Sequence, residues 1–343
     1  MAEGFLKNAW YVAGWASELD TGMVARKVAG VPVVIARGLD GEAFALHDRC
    51  PHRFAPLSRG TVTKDGIQCG YHGLTFNAAG QCSANVLGGP TPSACRVAPY
   101  PLVIQDRVLW VWLGNPAKAD QASIPRFPCF DNPAYRFVYG TIRAKANYQM
   151  LMDNLLDLTH AAFLHPSFGG LAYRPKISMT QEGETVFSHY IVSDIDNPEF
   201  PEVFWSAHGK RVDLWDDIRW NSPANLYLES GVVLTGRPRE EGYIIPAVHA
   251  LTPATRDETT YFWASALPAD TPLKDEDFKN MMSTAFEVED LPMIEAAWER
   301  MEGHDLWDLS PVMLRADAAA VIARRILSAK VKEEETAPGS AAS

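Results

Sequence analysis

Between Trp10 and Trp112 apolar and polar positions alternate in short runs, VARKVAG, VPVVIAR, EAFALHD, GIQCGYHG and RVLWVWLG among them, separated by Gly, Pro, Asn and Asp. Runs of that length and period predict a small antiparallel β domain. A stretch from Pro116 through Pro125 to Pro133 has little periodicity and predicts a connection into a second unit. Beyond it an extended run over 135–146 gives way to a helical one over 148–158. The β-like runs NLYLESGVVLTG, YIIPAVHALTP and TTYFWASALP then predict a second sheet. Residues 275–302 and 312–330 read as helices, with Leu314, Ile322, Ile326 and Leu327 spaced as an apolar stripe. There is no internal repeat. The expected organisation is a first domain over 1–120, a second over 121–331, and a charged, then Ala/Ser/Gly-rich, disordered tail over 332–343.

Composition narrows the function. The chain has 343 residues, 47% of them hydrophobic, enough for two cored domains. Lys and Arg number 31 against 42 Asp and Glu, a net charge of −11, which disfavours nucleic acid and anionic membrane surfaces as partners. No apolar run reaches the roughly eighteen residues of a membrane span. The aromatic stretch Ala9 to Trp15 is short and interrupted by Gly14, so it reads as a strand and not as a secretory segment.

Chemistry concentrates first in Cys50-Pro51-His52 and Cys69-Gly70-Tyr71-His72, a C-x-H and a C-x-x-H pair with sixteen residues between them. Two thiolates on one iron and two imidazoles on the other would form a [2Fe-2S] cluster of raised potential. A structural zinc site uses the same ligand types, but zinc modules usually pair Cys with Cys and His with His. The flanks, CPHRFAPLSRG and CGYHGLTFNAAG, resemble the two loops of a Rieske [2Fe-2S] domain, departing from many relatives only in Leu74 for Trp. Membrane-anchored Rieske proteins carry an extra Cys in each loop, and these loops carry none. The other cysteines, Cys82, Cys95 and Cys129, are widely spaced, as buried reduced thiols are, which fits a cytoplasmic protein.

A second cluster lies in DNLLDLTHAAFLHP, where Asn154, Asp157, His160 and His165 fall within twelve residues. The first three are three apart and share a helix face. His160 and His165 are five apart, about 140° around an ideal helix. Both reach one metal only if the turn is widened or the helix is ending, and Pro166 gives it a reason to end. Two His plus a carboxylate is the ligand set of a non-haem Fe(II) oxygenase. The carboxylate must come from elsewhere, with Asp290, Glu287 and Glu289 in AFEVEDLPMIEAAWERM as candidates.

Over nearly its whole length the chain resembles the oxygenase components of Rieske non-haem iron oxygenases, particularly the compact aromatic O-demethylases. NAWYVA, CPHRFAPLS, CGYHGL, MDNLLDLTHAAFLH, DIRWN and EDLPMIEA carry the match. The resemblance implies an α+β protein in which a Rieske domain precedes a helix-grip (START-like) catalytic domain. It implies Asp290 as the third iron ligand, Asn154 near that iron, and Asp157 as a bridge between a histidine ligand of the iron and His72 of a neighbouring copy's cluster. It also implies a homotrimer, O2 and a small aromatic substrate, and NAD(P)H used through a reductase, with or without a ferredoxin. The implied reaction is O-demethylation of a methoxylated, vanillate-like aromatic acid with release of formaldehyde. Candidate substrate contacts are His249, at the position of a substrate-binding histidine in dicamba-type relatives, with Tyr227, Glu229 and Trp220 on nearby strands. A pure electron carrier leaves the second cluster unexplained. Ring hydroxylation or cis-dihydroxylation uses the same metals and is separated by its product.

Overall fold

The computed structural model describes residues 4–168, 170 and 173–337. They form two compact units, one of the residues up to Ile124 with Thr252–Thr255 and those from Glu334 on, the other Pro125–Leu251 with Arg256–Glu333. The first unit is therefore not one continuous segment, as a division at residue 120 implies. Hydrogen bonds recruit its distant pieces: the Thr252 hydroxyl donates to the Val12 carbonyl at 2.6 Å, the Ala29 amide to Pro253 at 2.7 Å, and the Lys7 and Asn8 amides to the Glu334 carboxylate at 2.6 Å each.

The first unit is all β. Its strands are β1 Trp10–Trp15, β2 Val24–Val28, β3 Val31–Arg37, β4 Ala43–His47, β5 Thr61–Thr63, β6 Gly66–Gln68, β7 Leu74–Phe76, β8 Cys82–Asn85, β9 Pro99–Tyr100, β10 Leu102–Gln105 and β11 Val108–Trp112. They make three small sheets, β1-β11-β10, β2-β3-β4-β9 and β5-β6-β7-β8. Val34, Leu46, Leu57, Ile67 and Phe76 pack with Cys50 and Cys69 in one buried cluster, so both cysteines belong to the core that holds their loops.

The second unit is α+β. Strands β12 Tyr135–Ala144, β13 Lys176–Glu182, β14 Thr185–Asp196, β15 Arg211–Asn221, β16 Asn225–Leu234, β17 Tyr243–Pro253 and β18 Thr259–Pro268 form a sheet in the order β12-β18-β17-β16-β15-β14-β13. Its helices are α1 Tyr148–Leu156, α2 Ala161–Leu164, α3 Glu199–Phe204, α4 Asp275–Ser283, α5 Leu291–Arg300 and α6 Ala318–Thr336, with a π-helical segment, Thr284–Asp290, between α4 and α5. Registers pair Asp216 with Ser230 and Ser230 with Ile245, Ile218 with Leu228 and Leu228 with Ala247, Trp220 with Leu226 and Leu226 with His249. Alternation then puts all nine on one face of the sheet and Arg219, Tyr227, Asp217 and Glu229 on the other.

Two expectations change at the C-terminus. The last helix starts at Ala318 and not at 312, and Leu314 is 70% exposed, outside any apolar stripe, while Leu327 is buried. The helix also continues to Thr336, into the expected tail, because the bonds to Glu334 give that end a partner. Residues 338–343 of that tail lie outside the described residues. Arg324, on α6, reaches α1, its Nε 2.9 Å from one Asp153 oxygen and its Nη2 2.6 Å from the other. That bidentate pair fixes the helix whose next residue is Asn154.

Candidate functional site

In the first unit, Cys50-Pro51-His52 follows β4 and Cys69-Gly70-Tyr71-His72 joins β6 to β7. Only the second loop is a hairpin tip. The first crosses from one sheet to another, since β4 pairs with β3 and β9 whereas β5 pairs with β6. Both loops nevertheless use one backbone device. The amide four residues after each cysteine donates to that cysteine's carbonyl, Phe54 to Cys50 at 2.9 Å and Gly73 to Cys69 at 3.0 Å. Both donors have left-handed backbone, φ +60° and +73°. At Gly73 a Cβ would collide with the Val86 side chain, so only glycine fits.

These turns bring the His52 and His72 rings edge to face with centroids 4.5 Å apart. Cys50 and Cys69 are 2% and 3% exposed, and neither is in a disulfide. Burial pushes the Cys50 thiol up, and the hydrogen-bonding neighbour Cys69 adds to it. Two adjacent buried thiols beside two converging imidazoles fit an iron-sulfur group, which takes its cysteines as thiolates.

The second unit holds the other set. Asp157 leaves helical conformation at φ −123°, ψ 94°, and its Oδ1 caps the next turn, accepting from the Thr159 amide at 2.9 Å and hydroxyl at 2.6 Å. The 3-10 turn Leu158–His160 leads into α2, which ends at His165 just before Pro166. The two histidines therefore meet through breaks in the helix and not through a widened turn. Their rings are 5.2 Å apart at 78°. Asp157 does not share a helix face with Asn154 and His160, as a continuous helix predicts, because the helix has already ended.

The widened turn occurs on the opposite segment. Thr284–Asp290 is π-helical, and it carries Asp290, 6% exposed, to the histidines. Asp290 Oδ1 lies 3.4 Å from His160 Nε2 and 3.2 Å from His165 Nε2, and it accepts from Asn154 Nδ2 at 3.3 Å. One ligand atom from each of His160, His165 and Asp290 lies within 4.8 Å of the others. Asn154 is thus at the site, oriented onto the carboxylate.

Each imidazole is held from behind. His160 Nδ1 is 2.6 Å from the Asp157 carbonyl, and His165 Nδ1 is 2.7 Å from Glu289 Oε2. Both partners accept only, so Nδ1 carries the proton and Nε2 presents its lone pair inward. It is the main-chain oxygen of Asp157, not its carboxylate, that reaches His160. Burial lowers the affinity of His160 for a proton. Burial alone would lower His165 too, but hydrogen bonds to Asp290 and Glu289 and their negative charge outweigh it and hold that ring above its ordinary value.

His160, His165 and Asp290 open onto a cavity of about 150 Å³. Its walls are largely apolar, including Leu158, Phe168, Phe200, Leu228, Ile245 and Phe286, and among the described residues none that line it is Lys or Arg. His249 lines it, 3% exposed, with Nδ1 2.7 Å from the Tyr261 hydroxyl and Nε2 without a hydrogen-bond partner. The other three expected substrate contacts do not line it. Tyr227 and Glu229 are on the opposite sheet face, Tyr227 stacked 6.2 Å from Phe127 and beneath the Arg219 guanidinium. Trp220 is on the cavity face but wholly buried in the core. Sequence reading missed Asp216, Ser230 and Tyr173, which do line the cavity. Asp216 had a signal: alternate positions of its strand read Val212, Leu214, Asp216, Ile218, Trp220, an acid inside an apolar face.

Residues 9–99 match the Rieske [2Fe-2S] domain, and residues 144–333 match the vanillate O-demethylase oxygenase C-terminal domain. The chain belongs to the Rieske non-haem iron oxygenases. Dicamba O-demethylase oxygenase component of Stenotrophomonas maltophilia is 34% identical over 347 residues, covering 97% of this chain and 99% of that one. The oxygenase component of chloroacetanilide N-alkylformylase from Rhizorhabdus wittichii is also 34% identical, covering 96% and 97%. The crystal structure of dicamba monooxygenase bound to 3,6-dichlorosalicylic acid superposes with a TM-score of 0.91 at 33% identity, covering 97% and 99%.

This oxygenase is one component of a multicomponent system. It carries a Rieske [2Fe-2S] cluster and a mononuclear non-haem iron, uses O2, and draws electrons from NAD(P)H through a reductase. Among the described residues no helix is long and apolar enough to cross a membrane.

Proposed function

We propose that this oxygenase removes the methyl group of a small methoxylated aromatic, such as a vanillate-like acid, as formaldehyde, leaving a phenol. The observation that carries the reading is the His160, His165 and Asp290 set opening onto an apolar cavity whose volume suits a one-ring ligand. Cys50 and Cys69 hold one cluster iron and His52 and His72 the other, while His160, His165 and Asp290 hold the mononuclear iron. When bound, the cluster supplies single electrons and the iron supplies oxygen-activating chemistry.

The chain's own residues do the rest. Asp157 and Glu289 fix the tautomers of His160 and His165, and Asn154 orients Asp290. The apolar walls exclude water and press the ring into one plane. His249 Nε2, buried and unpartnered, takes a polar group of the substrate. Overall, an aryl methyl ether, O2, two electrons and two protons give a hydroxylated methyl ether and water, and the hydroxylated ether falls apart to the phenol and formaldehyde.

The working assembly is a head-to-tail homotrimer in the cytoplasm. Asp157 bridges copies within it: its carbonyl serves His160, its Oδ1 serves Thr159, and Oδ2 makes neither of these bonds and is offered to His72 of the neighbouring copy. A panel of methoxybenzoates, assayed with a generic reductase for formaldehyde and NADH consumption together, tests the reaction. Stoichiometric formaldehyde supports it. A dihydrodiol product, or NADH oxidation without formaldehyde across the panel, overturns it.

A further inference from the structure

The cavity contains a carboxylate that demethylation does not use. Asp216 projects from β15 on the face shared with the buried Val212, Leu214, Ile218 and Trp220. The Tyr173 hydroxyl donates to its Oδ2 at 2.6 Å and the Ser230 hydroxyl to its Oδ1 at 2.5 Å. Burial holds its carboxyl above the usual carboxylate range, and the two donors offset only part of that rise. Both donors line the same cavity, where no Lys or Arg among the described residues provides a counter-charge.

A carboxylate offers about four lone-pair directions, and the two hydroxyls occupy two of them. Holding it in an apolar wall without a cation is costly, because the interior does not replace the water it has lost. An apolar residue would continue the face without that cost. The arrangement is completed by a ligand that brings its own donor.

We propose that Asp216, oriented by Tyr173 and Ser230, is a specificity-determining acceptor that selects aromatic substrates carrying a hydrogen-bond donor, hydroxyl or amino N–H, on the ring. This rests on the cavity being the substrate site. A methyl cap at that position leaves the carboxylate's free lone pairs unmatched, and a ring carboxylate placed there is repelled. An acidic group on the substrate is therefore directed away from Asp216, and His249 Nε2 and the Tyr243 hydroxyl are buried polar atoms on the same cavity that can receive it.

The test is equilibrium binding to the holoenzyme without O2, by calorimetry, of three ortho-substituted anisoles: guaiacol with a hydroxyl donor, o-anisidine with an amino donor, and veratrole, one methyl larger, with neither. Guaiacol or o-anisidine is expected to bind at least about tenfold more tightly than veratrole, the scale of one hydrogen bond to a charged acceptor. The stronger of the two identifies the donor. Asp216→Leu is expected to abolish the difference. Veratrole binding as tightly as both donors in the wild type overturns the proposal without any variant having to fold. Formaldehyde release is scored separately. A donor preference without formaldehyde sinks the demethylation reading alone, and formaldehyde without a donor preference sinks this one alone.

Discussion

Glu289 Oε2 lies 2.7 Å from His165 Nδ1, while the adjacent residue, Asp290, lies 3.2 Å from Nε2 of the same ring. Two consecutive carboxylates therefore address the two nitrogens of one imidazole, one from behind and one beside it at the metal position. Removing the rear contact frees the ring to rotate and to change tautomer. Glu289→Ala is expected to weaken mononuclear iron binding about 10- to 100-fold, read as iron retained against a graded chelator. Glu289→Gln, which keeps an acceptor, should lose much less. Equal retention in all three proteins would show that the contact does not matter.

The Asp157 bridge separates metal binding from electron delivery. Asp157→Ala leaves the Asp157 carbonyl on His160 and the four cluster ligands untouched, so both iron centres should stay loaded and the cluster should still be reduced. Turnover should be nearly lost. Full turnover in that variant removes the bridge.

His249 makes the fold sensitive to acid. Burial lowers its pKa from 6.5 to about 4, so between those values the unfolded chain takes up a proton that the folded chain refuses. Its contribution thus favours unfolding progressively as pH falls through that window and is absent above it, reaching roughly 3 kcal/mol near pH 4. In His249→Leu the slope of stability against pH between 6.5 and 4 should be shallower by up to about 1.4 kcal/mol per pH unit, measured by urea unfolding. Identical slopes would mean that the imidazole accepts its proton without penalty.

Arg324 and Asp153 tie the last helix to the one bearing Asn154. Arg324→Met leaves a partly buried carboxylate unpaired and should cost about 2–3 kcal/mol, seen as a fall of several degrees in Tm. The double variant Arg324→Met with Asp153→Leu should recover most of it, because no unpaired charge is left behind. A double variant as unstable as the single would place the cost in packing instead.

Local signals in the sequence carried different amounts of this. The two Cys/His loops were legible as a pair, since their side chains fall within a few positions of each other, but not that only the second is a hairpin tip, because that depends on which strands pair. His160 and His165 were legible as a pair, and Pro166 correctly marked an ending helix. Asp290 is distant in sequence, and choosing it over Glu289 needed the resemblance, because which of two adjacent acids faces the metal depends on a π-helical register that periodicity does not reveal. The pocket failed by parity. Tyr227 and Glu229 sit one position from Leu228 and Ser230, and alternation says which residues share a face but not which face meets the cavity. The returns of 252–255 and Glu334 to the first unit rest on a few long-range hydrogen bonds, which leave no periodic trace.

The π-helical segment Thr284–Asp290 makes the site depend on how its backbone is wound, which side-chain chemistry alone does not convey. A wide turn holds one residue more than an α-turn over the same rise. The same residues wound as ordinary helix would carry Asp290 roughly 100° further around the axis, with every ligand still in the sequence. The site is thus set by the match between winding and residue count as firmly as by composition, and changes that rewind this stretch at full length should be far more damaging than substitutions at its exposed positions that leave the winding alone.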